Sequence, residues 1–196
     1  MARIDFEEKK NQIADAALKV FYEKGYDKSS LQDVSKEIGI SKAGIYHYFK
    51  EKDEILGYIL TKHGEVFIKE LKANIEESKK NGLDQLELFK RLLRAYANHI
   101  SIFKYRSMVL VRELHHLTNE YKEKSNKNQT ILFNIIRDEL IKIDNFNRKL
   151  NPTVTAFLIV GMLNSLNRWF REGKGMSLKV VIDQHINVIL NGILKD

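Results

Sequence analysis

Between Ser41 and Tyr48 the run Ser-Lys-Ala-Gly-Ile-Tyr-His-Tyr sets two small residues, Ala43 and Gly44, among side chains with charged or hydrogen-bonding ends: Lys42, Tyr46, His47 and Tyr48. On a helix, such a run leaves one side slim enough to approach a duplex and supplies it with donors for base edges, while Ile45 and Phe49 turn inward. The residues of the first turn are the expected base readers. The rings of Tyr46 and Tyr48 can pack while their hydroxyls reach phosphate, so the core and contact roles are compatible for them. Phe49 is assigned to the core. His47 alone would be an ordinary surface histidine, and only its place in this run gives it a contact role.

Other chemistry finds no support. Glu113, His115 and His116 are neighbours, yet consecutive helical residues point about 100° apart, so the two histidines cannot share an ion as residues three or four apart can. His63, His99 and His185 are isolated, and no glycine-rich phosphate loop, nucleophile elbow or paired-carboxylate pattern occurs. The 196 residues contain no Cys, which excludes disulfides, thiolate nucleophiles and sulfur-ligated zinc. An enzyme is therefore not expected, nor is a metal or other cofactor. Apolar runs such as Ala156 to Met162 fall far short of the roughly 18 residues a spanning helix needs, and the opening MARIDFEEKK has no apolar core. A soluble, unprocessed, cytoplasmic chain without membrane contact is expected. The net charge is +7, but residues 1–56 hold ten Lys and Arg against eleven Asp and Glu, so the excess lies C-terminal. Bulk charge cannot carry a DNA role for the N-terminal part. The C-terminal excess fits either solvated helix faces or attraction for an anionic ligand.

One Pro, Gly mostly at junctions and apolar residues three and four apart describe an all-α protein. The first helix is expected from Asp5 to Lys24, with Phe6, Ile13, Ala17, Val20 and Phe21 on one face and Gly25 as its stop. Ser30 is the expected N-cap of a short helix over Leu31 to Ile38, closed by Gly39 in the left-handed region; Ser41 then caps a second, Lys42 to Phe49. Two short helices joined by a Gly-containing turn make a helix-turn-helix. Long helices follow over Lys52 to Lys80, Leu83 to Phe103, Tyr105 to His116, Asn119 to Asn145, Asn151 to Glu172 and Ser177 to Leu194, with Pro152 at a first helical position. The division is into a three-helix N-terminal domain with the helix-turn-helix, residues 1–51, and a C-terminal helical ligand-binding and dimerisation domain, residues 52–196.

Residues 10–56 resemble the DNA-binding domain of the TetR/AcrR family of transcriptional repressors. The likeness rests on Ile13, Ala16-Ala17, Phe21, Gly25-Tyr26, Ser30, Ile38-Gly39, Ser41, Gly44, Ile45-Tyr46, Tyr48-Phe49, Lys52 and Leu56, in order and without gaps. It implies that Tyr46, His47 and Tyr48 contact backbone or bases, beside the Ser41, Lys42, Ala43 and Gly44 already read from the helix start, and that Ser30 and Lys52 grip phosphates. Both of these sit at helix N-termini, which favour anions. It further implies a homodimer on a palindromic operator, released when a small-molecule inducer fills the C-terminal body.

Two C-terminal segments, one with Phe157, Val160, Gly161, Leu163, Leu166 and Trp169-Phe170 and the next with Val181, Ile182, Ile186, Ile189, Leu190 and Ile193, are too apolar for one buried face each. A two-fold four-helix interface through residues 151–194 is expected, with Gly161 and Ser165 allowing close approach. Residues 167–193 are similar to TetR-type regulators that respond to fatty acyl-coenzyme A, though without their Pro in the turn. An acyl-coenzyme A would need an apolar tunnel and cations for its phosphates. The expected ligand residues are Phe103, Met108, Leu110, Leu114, Phe133, Phe157 and Met162 for the chain and Arg106, Arg112, Arg137 and Arg168 for the phosphates, with ordinary core and ion-pair roles as the alternatives. Rival readings are a multidrug-sensing repressor for lipophilic cations and a helical ligand-binding or scaffold protein that binds no DNA.

Overall fold

Apolar residues at three- and four-residue spacing give each long segment one face to bury, and in the computed structural model these segments are helices. They are α1 (Phe6–Lys24), α2 (Leu31–Ile38), α3 (Lys42–Tyr46), α4 (Lys52–Lys80), α5 (Gln85–Ile102), α6 (Lys104–Glu113), α7 (Asn119–Leu140), α8 (Pro152–Trp169) and α9 (Leu178–Ile193), with a 3-10 turn over Leu114–His116. The structure describes residues 5–195, and of Lys104, Ser107, Leu110 and Val111 the backbone alone. Among the described residues the fold is all-α with no strand; one antiparallel bridge joins Phe146 to Leu194.

The caps expected at Ser30, Gly39 and Ser41 are present, and Asn151 and Ser177, expected only as helix starts, are N-caps as well. Asn151 Oδ1 accepts from the Thr153 and Val154 amides ahead of Pro152, Ser177 caps α9 and Gly39 closes α2 at φ 73°, a backbone region that glycine enters without steric cost. Four helices end at least three residues earlier than expected, α6 at Glu113 with the 3-10 turn carrying on to His116. The helix over Lys42 to Phe49 stops at Tyr46 because the Ile45 carbonyl accepts from both Tyr48 and Phe49, tightening the last turn. Helix α7 ends at Leu140, not Asn145: Arg148 turns back and donates to the carbonyls of Ile141 and Ile143, so they need no following turn of helix. Helix α8 ends at Trp169, short of Glu172.

The chain forms two compact units, residues 1–64 with 105–127, and residues 65–104 with 128–196. The first is built on Ile13, Ala17, Phe21, Val34, Ile45, Phe49, Ile55 and Leu56, with Val109 and Leu117 from the later segment. The boundary expected after residue 51 thus falls inside this unit, because Ile55, Leu56, Ile59 and Leu60 of α4 are buried against α1–α3 residues. At Gly57 an added Cβ would lie 2.2 Å from Cδ2 of Tyr121, so this close approach of α7 to α4 tolerates no side chain. The second unit is built on Phe67, Leu71, Phe89, Leu92, Leu93, Ala97, Ile136, Leu140, Ile159, Leu163, Ile186 and Ile189. Helices α8 and α9 bury one face there and leave Val154, Phe157, Leu158, Trp169, Val180 and Val188 exposed. Gly161 is exposed on α8 and a Cβ there would meet nothing within 4 Å.

Candidate nucleic-acid interface

Helix α3 is only five residues long, so its neighbours rather than its own propensity must hold it. Ser41 Oγ accepts from the Gly44 amide at 3.0 Å, and Ile45 and Phe49 are fully buried, nailing one side to the core. Lys10 lies 5.0 Å over the Phe49 ring and 4.9 Å over that of Tyr58, and Tyr58 donates to Asn11 Oδ1 at 2.7 Å. The opposite side faces solvent: Ser41, Lys42, Ala43 and His47 are exposed and Gly44 and Tyr48 partly so, while Tyr46 is 49% exposed despite its size. The Lys42 ammonium sits 5.7 Å over the Tyr46 ring, leaving the phenol tip and the charge side by side. A slim, cationic, hydroxyl-bearing ridge on a rigid base can enter a major groove.

Phe6 departs from its expected place on the core face of α1. It is 46% exposed, with its ring 4.8 Å from that of Tyr48 and 5.9 Å from that of His47. The helical spacing that puts Phe6 in line with Ile13 could not reveal that the core ends before the first turn of α1.

The two residues implied to grip phosphate are engaged within the protein. Ser30 Oγ accepts from the Asp33 amide at 3.2 Å and donates to Asp33 Oδ2 at 2.6 Å, and the Ser30 amide donates to the same oxygen at 2.9 Å. This is a reciprocal capping box, so a carboxylate already occupies the N-terminus of α2 where the likeness implied a phosphate. The Lys24 ammonium, 2.6 Å from Asp33, and then Ser30 hold that carboxyl well below the usual carboxylate range. Lys52 Nζ donates to the Tyr26 carbonyl at 2.7 Å and the Ser29 carbonyl at 3.1 Å and lies 4.0 Å over the Tyr26 ring. Two of its three donors are thus committed to the turn before α2.

Tyr26, which the sequence offered only as one residue of the family likeness, is the centre of this knot. It is buried, donates its hydroxyl to Asp53, and packs edge-on to Phe21 and 4.8 Å from the His116 ring. Burial, then the Asp53 carboxylate, push its phenol well above the usual tyrosine range. His116 Nε2 lies 3.4 Å from Asp27 and 3.7 Å from Glu113, and no group of three or more side chains able to hold a metal ion occurs among the described residues.

The ligand residues expected from the sequence are divided between the two units. Arg106 pairs with Asp15, and Arg112 Nη2 donates to the Phe21 carbonyl at 3.3 Å and to Glu113 at 3.1 Å. Met108 is partly buried and Leu114 packs on the first core; the side chain of Leu110 lies outside the described residues. The physical reason is that the segment after Lys104 folds against α1 and its following turn. In the second unit Phe133 lies 4.1 Å from Phe157, whose other side is exposed, Met162 packs on the core, Arg137 is held by Asp138 at 2.7 Å and Arg168 is exposed. Phe103 closes α5 with its ring 4.6 Å from that of His99, which stacks on Phe67 at 3.8 Å and bonds Glu70 at 2.6 Å. Buried Tyr96 donates to Asn164 at 3.2 Å, and burial pushes its phenol up to about 12. The sequence carried no signal for this polar pair, because both residues fall in otherwise regular amphipathic patterns.

Comparison with known proteins bears on this arrangement. The family of bacterial regulatory proteins of the tetR type matches residues 13–59, and the tetracyclin repressor-like C-terminal domain matches residues 82–193. The biofilm operon icaADBC HTH-type negative transcriptional regulator IcaR of Staphylococcus epidermidis is 46% identical over 46 residues, covering 24% of this chain and 25% of that protein. That alignment therefore spans about a quarter of the relative. The fatty acid metabolism regulator protein of Bacillus subtilis is 25% identical over 189 residues, covering 93% of this chain and 94% of that protein. The solved structure of AibR in complex with isovaleryl coenzyme A and operator DNA superposes with a TM-score of 0.81 at 18% identity, covering 92% of this chain and 97% of that one. No helix among the described residues is long and apolar enough to cross a membrane. With a helix-turn-helix at one end and a matching C-terminal domain over more than half its length, the chain belongs to the TetR family of bacterial transcriptional regulators.

Proposed function

We propose that the protein is a homodimeric, ligand-responsive repressor that reads a palindromic operator through residues 41–48 and leaves it when a small molecule binds the C-terminal body. The observation that carries this is α3 itself: Ile45 and Phe49 are buried to anchor it while Lys42, Tyr46 and His47 stand exposed, Lys42 over the Tyr46 ring and His47 against the rings of Phe6 and Tyr48. Ser41 caps the helix and completes the contact set with Ala43, Gly44 and Tyr48. Ser30 and Lys52 act behind this face, fixing the α1–α2 turn, and the third donor of Lys52 is what remains for a phosphate. The apolar faces of α8 and α9, within residues 151–194, supply the dimer contact: Val154, Phe157, Leu158, Trp169, Val180 and Val188 are exposed there, and a stable interface buries about 800 Å² per partner. The two-fold axis then repeats α3 at half-sites about one DNA turn apart.

The inducer is an acyl-coenzyme A or another lipophilic acid. Support comes from the B. subtilis relative, named for fatty acid metabolism, and from AibR, solved with an acyl-coenzyme A and DNA. Release is a population shift: an inducer that prefers a state whose α3 helices no longer match the half-sites weakens operator binding about tenfold for each 1.4 kcal/mol of differential affinity. Helix α4 gives Ile55–Leu60 to one core and Phe67–Ile75 to the other, and it is the element through which such a change passes. The protein works in the cytoplasm, where its DNA is, and turns over no substrate.

The test is mass spectrometry of gently purified protein with and without added acyl-coenzyme A species, followed by binding to a DNA duplex selected by the protein from a random-sequence pool. A bound acyl-coenzyme A that weakens duplex binding is the expected result; a neutral or cationic bound ligand instead discards the lipid assignment. Affinity for the duplex should fall steeply as salt rises, and Tyr46→Ala should abolish it with the fold intact. A protein that enriches no duplex is a scaffold, and the repressor reading fails.

A further inference from the structure

We propose that Phe6 is a positioning residue for DNA recognition: its ring fixes the side chains of His47 and Tyr48 at the end of α3 before the duplex arrives. The inference rests on residues 41–48 being the DNA-facing set. Phe6, Tyr48 and His47 close a triangle of rings, 4.8 Å and 5.9 Å from Phe6 to its two partners and 5.0 Å between them, the His47–Tyr48 pair edge-to-face at 89°. Such offset and edge-on geometries are the favourable ones for aromatic pairs. Phe6 does little else. It is half in water and belongs to neither hydrophobic core. It also lies ahead of residues 13–59, the part matched by the family's DNA-binding domain.

Beyond Tyr46 the helix gives out, and His47 and Tyr48 lie on a tightened turn whose side chains no helix wall restrains. A histidine and a tyrosine free to sample rotamers there would lose that freedom on binding, which costs affinity; rings already locked against Phe6 have lost it in the folded protein. Phe6 has no polar atom for a phosphate or a base, so its effect runs through its two partners. The contribution should therefore appear where side-chain placement matters, on the preferred sequence, and not in the salt-dependent attraction common to all DNA.

The experiment compares wild type, Phe6→Ala and Phe6→Tyr on the duplex selected from a random-sequence pool and on an unselected duplex of equal length, across a salt series. Phe6→Ala is expected to bind the selected duplex about tenfold more weakly, with a smaller loss on the unselected duplex, an unchanged salt slope and unchanged thermal unfolding. Phe6→Tyr should restore the affinity, and Phe6→Ala should cost nothing further in a Tyr48→Ala background. Unchanged affinity of Phe6→Ala for the selected duplex overturns the proposal, as does a loss that persists in the Tyr48→Ala background or follows a fall in melting temperature. If wild type selects no duplex, the DNA reading fails and this inference falls with it; wild-type selection with an indifferent Phe6→Ala sinks the positioning role alone.

Discussion

The helix-turn-helix unit and the C-terminal unit are both all-helical, yet they are held by different physics. In the C-terminal unit α5, α8 and α9 are 16 to 18 residues long and meet through Phe89, Leu92, Leu93, Ile159, Leu163, Ile186 and Ile189, so burial of apolar surface does most of the work. In the N-terminal unit α2 and α3 have eight and five residues, too few to be stable alone. Discrete polar devices supplement the core there: the Ser30–Asp33 box, the Ser41 cap and the Tyr26–Lys52–Asp53 knot. The difference fits the task proposed for α3. A helix that must expose one whole side to a ligand as large as DNA cannot also bury enough surface to hold itself in place.

That contrast can be broken by substitution, starting where the effect should be greatest. Leu163→Ala empties a fully buried site and should cost the C-terminal unit about 2–5 kcal/mol, read as faster amide exchange in α5, α8 and α9. A cost below 1 kcal/mol would mean that burial is not what holds this unit. Gly57→Ala is next. The new methyl would meet the Tyr121 ring, and forcing the two apart should cost about 1–3 kcal/mol, offset by up to about 1 kcal/mol of helix propensity. Adding Tyr121→Ala should erase most of the clash, and additive costs in the two variants would show that the ring gives way freely. Smallest is Ser30→Ala, expected to cost about 1 kcal/mol confined to the amides of α2; exchange rising equally in α9 would deny that the cap is local.

Acid should sharpen the same comparison. The carboxyl of Asp33 is depressed in the folded protein, so its contribution is present above the ordinary aspartate range near pH 4 and is lost as pH falls through the lower folded value. Acid should therefore loosen α2 before it touches the apolar helices α8 and α9, and Ser30→Ala should raise the pH at which α2 loosens. At the other end, Tyr26 keeps its proton above the ordinary tyrosine range, so its contribution holds below about pH 10 and fades as pH rises beyond it.

Much of the fold could be read before any coordinates. Ser30, Gly39, Ser41, Asn151 and Pro152 mark helix ends by local chemistry that acts over three or four residues, and the structure keeps each of them where local rules put it. Helix periodicity likewise placed Ile45 and Phe49 inside and Tyr46 outside. The end of α7 was not legible: the helix stops just before Ile141 and Ile143, whose carbonyls accept from Arg148 beyond the reach of a three- or four-residue rule.

The sequence by itself determined the helices, their caps, the family and the face of α3 that meets solvent, because each depends on residues close together in the chain. Tertiary structure alone decided that Lys52 turns back to the carbonyls of Tyr26 and Ser29, that Phe6 stands against His47 and Tyr48, that Arg106 and Arg112 join the N-terminal unit, and that Gly57 must stay bare for Tyr121. These pairs lie as far as 91 residues apart, and which charge or ring answers which at such separations is set by how the helices pack, a property no local spacing records.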